Sequence, residues 1–163
     1  MGAMGGNLCQ ETPCWYYGQS RFWRSVNPLC LKRGEDRRYV VKGGDHCHAM
    51  FCGDMASALV VLDGLAILKN NEGERHMPID DLYTGDGIEP LSLKPEEFLS
   101  HVAIPKDPFR RGANLKLTTS QTGGFAIVGV ATAIYWMGGH WQEPRIAGTS
   151  GGSKPIRLRK VEL

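Results

Sequence analysis

The sequence lacks the features that would place the chain in a membrane or on a nucleic acid. Its longest apolar stretch, Phe125–Met137, is well short of the roughly 20 residues that a membrane-spanning helix needs. The first residues, MGAMGGN, contain neither the basic segment nor the apolar segment of a secretory signal peptide. A formal net charge of +2 is too small to favour nucleic acid or an anionic membrane. We therefore expect a cytoplasmic protein with no membrane span and no nucleic-acid partner.

The sequence also lacks an arrangement of side chains typical of acid–base or nucleophilic catalysis. It has no Ser/His/Asp set in a recognisable pattern and no Cys–His pair with a third, orienting group. The acidic residues Asp80, Asp81, Glu96 and Glu97 are predicted to be solvated loop charges rather than a carboxylate pair. We predict no catalytic residue here, so an enzymatic role depends on the complex in which the chain is assembled.

Two common metal-binding signatures are absent as well: the zinc pattern C-x2-C and the closely spaced cysteines of bacterial ferredoxins. The stretch with the most candidate metal ligands is DHCHAMFC, residues 45–52. Within it, His46 and His48 are predicted to be surface residues rather than ligands. Thiolates are soft ligands that favour iron–sulfur clusters or zinc. The spacing therefore leaves two interpretations open, a metal site or buried thiols without a ligand role. The five cysteines are Cys9, Cys14, Cys30, Cys47 and Cys52.

What is present is a pattern of short helices and strands typical of an α+β fold. Asp54 is predicted to cap a helix formed by MASALVVLD, and Gly64 is predicted to end it as the C′ glycine. LAILKN and RHMPI predict strands around the turn NNEGE, and KPEEFLSHVAIP predicts a helical turn at Pro95–Leu99 followed by a strand. ANLKLTT, GFAIVGVATAIYWM and HWQEPRIAGT are β-rich, with MGGH as a hairpin turn. PIRLRKVEL predicts one more strand.

The segment PKDPFRRG predicts a domain boundary because it combines two prolines with a run of charges. We expect one domain at residues 1–105 and a second at residues 108–163. All five cysteines lie in the first of these, before residue 54.

The order of several motifs resembles a known family. Five motifs, in their order along the chain, resemble the FAD-binding subunits of molybdenum hydroxylases, the xanthine dehydrogenase family. They are GAMGGNLC, GDMASALVVLDGLAIL, PIDDLYTGDG, LKPEEFLSHVAIP and FAIVGVATAI. The segments NLCQETPCWYYGQSRFWRSVNPLCLK and CHAMFCGD are most similar to the β subunits of 4-hydroxybenzoyl-CoA reductases. The resemblance implies the second lobe of an FAD-binding domain of the molybdopterin dehydrogenase (PCMH-like) type, with a Cys-rich insert at residues 9–52. The β-sheet part of the flavoprotein C-terminal domain would follow it.

The resemblance also implies a set of flavin contacts. The family has a glycine-glycine-asparagine turn whose backbone N–H groups approach the cofactor, an aspartate beside the isoalloxazine, an apolar ring contact and a nearby lysine. The matching residues in this chain are Gly5, Gly6 and Asn7, then Asp54, Leu99 and Lys116.

The resemblance implies a [4Fe–4S] cluster in the insert, held by four cysteines. Cys14, Cys30 and Cys47 match three of these positions, but the position nine residues before Cys47 is Arg38. An arginine provides a fixed positive charge and no soft donor. Three outcomes stay open: another cysteine replaces the missing one, the iron takes a ligand other than cysteine, or no cluster forms. Of the other cysteines we expect Cys52 rather than Cys9, because Cys9 occurs in the family pattern without being a ligand.

The implied function is electron transfer between FAD and iron–sulfur centres in a complex with a molybdopterin-binding large subunit and a [2Fe–2S] small subunit. The family's subunits begin with a further lobe that grips the FAD pyrophosphate, so the chain is expected to be truncated at both ends, and a separate chain is a candidate to supply that lobe. Two alternatives remain open: a non-enzymatic remnant that binds no flavin, and a small zinc module. The zinc ligands would be Cys14, Cys30, Cys47 and Cys52.

Overall fold

The computed structural model describes residues 2–120 and 123–162, which form two antiparallel sheets and three short helices. The helices are α1 (Met4–Leu8), α2 (Arg21–Val26) and α3 (Asp54–Val61). The strands are β1 (Leu65–Lys69), β2 (Glu74–Pro78), β3 (Phe98–Ala103), β4 (Arg110–Leu117), β5 (Val128–Met137), β6 (His140–Thr149) and β7 (Ile156–Arg157). None of the helices in these residues has the length and apolarity that a bilayer span requires.

The smaller sheet has the strand order β2-β1-β3. The predicted hairpin between β1 and β2 is confirmed, and the Asn70 side chain holds its turn by accepting hydrogen bonds from the backbone N–H groups of Glu72 (2.9 Å) and Gly73 (3.0 Å). The predicted helical turn at Pro95–Leu99 is wrong in extent. Only Pro95 and Glu96 form a turn, Glu96 has φ +69°, and β3 already begins at Phe98.

The larger sheet has the strand order β4-β5-β6-β7. The MGGH hairpin is confirmed, because Gly138 (φ +59°) and Gly139 (φ +81°) form the turn between β5 and β6, where two positive φ angles suit a right-handed strand twist. The last predicted strand is shorter than expected: β7 contains two residues and gives way to a 3₁₀ turn at Arg159–Val161.

Helix α3 packs on β5 and β6 of the larger sheet and carries much of the core. Its buried side chains meet small alanines that alternate along β5, so the helix lies close to the sheet. The cluster of buried apolar residues includes Leu8 and Phe51 as well as Ala131 and Ala147, so it contains residues from both predicted domains. The division at residues 105–108 stays a prediction.

Both predicted ends of α3 are wrong by one residue. Gly53 is the N-cap and Asp54 is the first helical residue. At the other end Asp63, with φ +53°, takes the left-handed position after the C-cap. Gly64 is required for a different reason, because a Cβ there would lie 3.1 Å from the carbonyl oxygen of Leu59.

The Asp63 carboxylate joins this helix end to the larger sheet. It pairs with Arg110 of β4 at 3.3 Å, with Arg145 of β6, and with Arg157 of β7 at 3.9 Å. Arg110 is nearly buried, with 7% of its side chain exposed, and also donates to the Leu62 carbonyl oxygen. The aspartate therefore neutralises arginine charges that lie partly out of water.

We predict that Asp63→Asn lowers the free energy of unfolding by about 1–3 kcal/mol, because it leaves partly buried arginines without their carboxylate. Asparagine tolerates the left-handed backbone, so the change tests charge rather than strain. Urea unfolding of the purified protein measures the effect. Glu74→Gln, which weakens an exposed ion pair with Lys69, is the matched control and is expected to change stability little. Equal effects of the two substitutions would contradict the role given to Asp63.

Candidate functional site

Three cysteines that are far apart in the sequence line one cavity. Cys14, Cys30 and Cys47 lie around a small, partly open cavity of about 20 Å³, and all five cysteines of the chain are free thiols. The cavity is also lined by basic and aromatic side chains. These three positions are the ones that the sequence assigned to iron–sulfur ligands.

The backbone around Cys47 is held firmly. Its N–H donates to the Asp86 carboxylate (3.2 Å), and its carbonyl oxygen accepts from the N–H of Gly87 (2.8 Å) and the hydroxyl of Ser153 (3.2 Å). A Cβ on Gly87 would lie 2.8 Å from the Cys47 Sγ and 2.9 Å from the Ala49 Cβ. Glycine at position 87 therefore leaves the space that the Cys47 thiol occupies.

The other two thiols sit at turns. The Cys14 carbonyl oxygen accepts from the N–H of Gly18 (2.9 Å), and Cys30 is the N-cap of a 3₁₀ turn at Leu31–Arg33. Cys30 also forms a β-bridge with Arg37, the residue directly before Arg38. Each thiol thus comes from a different loop of the insert.

Basic residues form part of the cavity lining. Lys32, Arg37 and Arg38 line it, and Lys32 is nearly buried because its ammonium group is held by Glu11 (2.6 Å) and the Thr12 hydroxyl (3.1 Å). Burial raises the pKa of the Cys47 thiol, and nearby Lys32 opposes that rise. Positive charges around thiols favour the thiolate form that binds metals.

Arg38, which stands where the family resemblance implies the remaining cysteine, also lines the cavity. Its Nη1 pairs with Asp36 at 2.5 Å, and its buried Nε has no hydrogen-bond partner within the described residues. Cys52 was expected to replace the missing cysteine, but within the described part of the chain it does not line this cavity. Its Sγ lies 3.7 Å from the Met50 carbonyl oxygen, and burial raises the pKa of its thiol.

Two histidines that were predicted to be surface residues rather than ligands are partly exposed and line the cavity. The rings of His46 and His48 have their centroids 3.9 Å apart and are tilted by 39° to one another. With Asp45 they form the group of potential metal ligands that the described residues bring together most closely. The sequence signal was the placement of both histidines directly beside Cys47.

A second site forms at the start of α3, where Asp54 and Lys116 meet. The Lys116 ammonium lies 2.7 Å from Asp54 Oδ2, although 62 residues separate them in sequence. Asn7 joins them, because its side-chain oxygen accepts from the Met55 N–H at 3.0 Å. Asp54 Oδ1 is buried and has no hydrogen-bond partner within the described residues. A buried acceptor without a partner is the feature that a ligand with N–H or O–H donors would satisfy.

The remaining predicted flavin contacts lie on neighbouring elements. Gly5 and Gly6 form part of α1 rather than the turn that we predicted, and a Cβ on either would meet no atom within 4 Å. Protein packing therefore does not require glycine there, whereas close approach by a ligand would. Leu99 lies in β3, opposite Leu68 and half-buried against the core, and β3 contacts α1.

We predict that Gly87→Ala destabilises the protein by about 1–3 kcal/mol and displaces Cys47, because its new methyl group would overlap the thiol. Urea unfolding measures the first effect, and the rate of Cys47 modification by a thiol reagent measures the second. Gly151→Ala is the control, since a Cβ there meets nothing within 4 Å. An unchanged Cys47 reactivity in Gly87→Ala would show that glycine at 87 does not position this thiol.

Comparisons with known proteins identify relatives of this chain. The chain is 28% identical over 121 residues to the alpha subunit of the 6-hydroxypseudooxynicotine dehydrogenase complex of Paenarthrobacter nicotinovorans, covering 74% of this chain and 40% of that protein. It is 25% identical over 128 residues to the xanthine dehydrogenase FAD-binding subunit of Escherichia coli O157:H7, covering 77% of this chain and 43% of that one. The chain thus spans about two fifths of the length of these relatives.

The fold is similar to that of a solved enzyme. Carbon monoxide dehydrogenase from Oligotropha carboxidovorans superposes with a TM-score of 0.60 at 24% identity, covering 68% of this chain and 38% of the matched chain. Residues 1–107 match the family described as the FAD binding domain in molybdopterin dehydrogenase. With that match over most of its length, the chain belongs to the family of FAD-binding domains of molybdopterin dehydrogenases.

Proposed function

We propose that this chain is the flavin-binding, electron-transfer part of a molybdenum hydroxylase complex. The observation that carries the proposal is the Asp54–Lys116 pair at the start of α3, with its unpartnered carboxylate oxygen. When bound, FAD supplies the redox chemistry, and the protein contributes position and electrostatics. Family membership and the FAD-binding subunits among the relatives support this function.

The residues present fit the polar side of a flavin. Asp54 offers an acceptor, Lys116 offers a donor, and Asn7 holds the first turn of α3 so that the aspartate keeps its direction. Gly5 and Gly6 leave the surface of α1 open to a bound group. In this proposal Leu99 contributes apolar contact to the ring.

We further propose that the cavity of Cys14, Cys30 and Cys47 holds a [4Fe–4S] cluster. Three thiols and surrounding cations suit an iron–sulfur cluster, since cysteine thiolates are its usual ligands and the positive charges offset their charge. The segment from Cys47 to Asp54 links this cavity directly to the flavin site. The cluster would therefore be a redox partner for the flavin within the same chain.

The Cys-rich insert favours a complex of the 4-hydroxybenzoyl-CoA reductase kind. In this proposal the partners are a molybdopterin-binding large subunit and a [2Fe–2S] small subunit, and the substrate, an aromatic thioester, reacts on the large subunit. No residue of this chain is assigned a catalytic role.

We predict that Asp54→Asn weakens FAD binding roughly 10- to 100-fold, because it removes a charged acceptor and its pairing with Lys116. The measurement is FAD retained per chain in the complex purified with its partner subunits, together with a flavin titration. Glu72→Gln changes an exposed β1–β2 turn residue and is the matched control, with wild-type binding expected. A wild-type complex without flavin absorbance would contradict the proposed function and favour a remnant that binds no flavin.

A further inference from the structure

We propose that His46 is the fourth protein ligand of the cluster, which has only three cysteine ligands in this chain. This inference rests on the proposed cluster in the cavity of Cys14, Cys30 and Cys47. It assigns to this chain a cluster with three thiolates and one imidazole.

Arg38 cannot complete the ligand set. Its guanidinium stays protonated in proteins and has no lone pair to offer a metal. Its Nη1 is committed to Asp36, and the buried Nε–H is a donor that suits a cluster sulfur rather than an iron. Arginine at this position therefore removes a ligand and leaves a hydrogen-bond donor.

The remaining cysteines do not complete it either. Cys9 packs against the hydrophobic core, and burial raises the pKa of its thiol. Cys52 is 7% exposed and lies beside Ser150 and Met50, away from the residues described around the cavity. Bringing the Cys52 thiol in would require the buried segment around Phe51 to come apart.

His46 already has the geometry of a metal-binding imidazole. Its Nδ1 lies 2.5 Å from Asp45 Oδ1. An ionised carboxylate only accepts hydrogen bonds, so Nδ1 carries a proton, and in the neutral imidazole the lone pair that can bind a metal is on Nε2. Metal-bound histidines commonly have such a carboxylate on the second ring nitrogen, where it fixes the tautomer and the ring orientation.

His48 is the less suitable of the two. A Cβ on Gly44 would lie 2.6 Å from its Nε2 and 2.8 Å from its Cδ2, so this edge of the ring is pressed against the backbone. Its ring packs at a tilt against the ring of His46, with centroids 3.9 Å apart, and so restrains His46 from the side. We therefore assign His48 the role of packing neighbour, which makes it the matched control.

An imidazole ligand has a measurable electronic consequence. Replacing thiolate by neutral imidazole lowers the negative charge on the cluster, and histidine ligation raises the reduction potential of iron–sulfur centres. We therefore expect a higher potential than that of the same cluster with cysteine at position 46.

The test is pulsed EPR of the reduced complex, prepared with histidine labelled selectively with ¹⁵N. We expect a strong ¹⁵N coupling to the cluster in the wild type and in His48→Gln, and its loss in His46→Gln. His46→Cys is expected to keep iron and sulfide at the wild-type level, to lose the coupling and to lower the reduction potential. Retained flavin in each variant reports that the chain is folded.

Failure of this inference differs from failure of the proposed function. Iron and sulfide in the wild type without histidine coupling, or a coupling that survives in His46→Gln, would overturn the ligand assignment alone. Loss of the coupling in His48→Gln instead would also overturn it. A wild-type chain that binds flavin but contains no iron and sulfide, or one metal ion at Asp45, His46 and His48, would overturn the cluster and this assignment together.

Discussion

The pairing of the buried segment around Phe51 with the loop after β6 is the interaction on which both sites depend. The Phe51 N–H donates to the Gly152 carbonyl oxygen (2.9 Å), and the Phe51 carbonyl oxygen accepts from the Ser150 N–H (3.1 Å). The Phe51 side chain is fully buried and its ring lies 4.6 Å from that of Tyr83, centroid to centroid. A Cβ on Gly53 would come within 2.4 Å of the Phe51 ring, so the segment clamped in this way can continue past the ring only with glycine at position 53.

Each end of this clamped segment carries a proposed cofactor contact. Cys47 enters it from the thiol cavity, with its carbonyl oxygen bound by Ser153, and Asp54 leaves it at the first turn of α3. The Thr149 hydroxyl donates to the carbonyl oxygens of Phe51 (3.3 Å) and Gly53 (3.2 Å), so β6 supports the segment too. If both proposed cofactors bind, this fixed frame keeps their separation constant, which suits electron transfer better than a mobile loop would.

Local patterns predicted the elements, whereas contacts between distant residues decided the details of the sites. The glycine pair after Met137 indicates its hairpin because two positive φ angles are needed within four residues. The helix cap at Asp54 could not be predicted correctly, since the group that holds the Met55 N–H is Asn7, 48 residues earlier. Cysteine spacing likewise could not reveal that Cys52 turns away from the cavity while His46 lies at its edge.

The most direct test of this account is the iron, acid-labile sulfide and zinc content of the anaerobically purified complex, compared between the wild type and Cys47→Ser. The account predicts a difference of about four iron atoms and four sulfides per chain, as one cubane cluster contains. It also predicts that Cys52→Ser retains the wild-type content. A Cys47→Ser complex with unchanged iron and sulfide, or one that loses zinc instead, would contradict it.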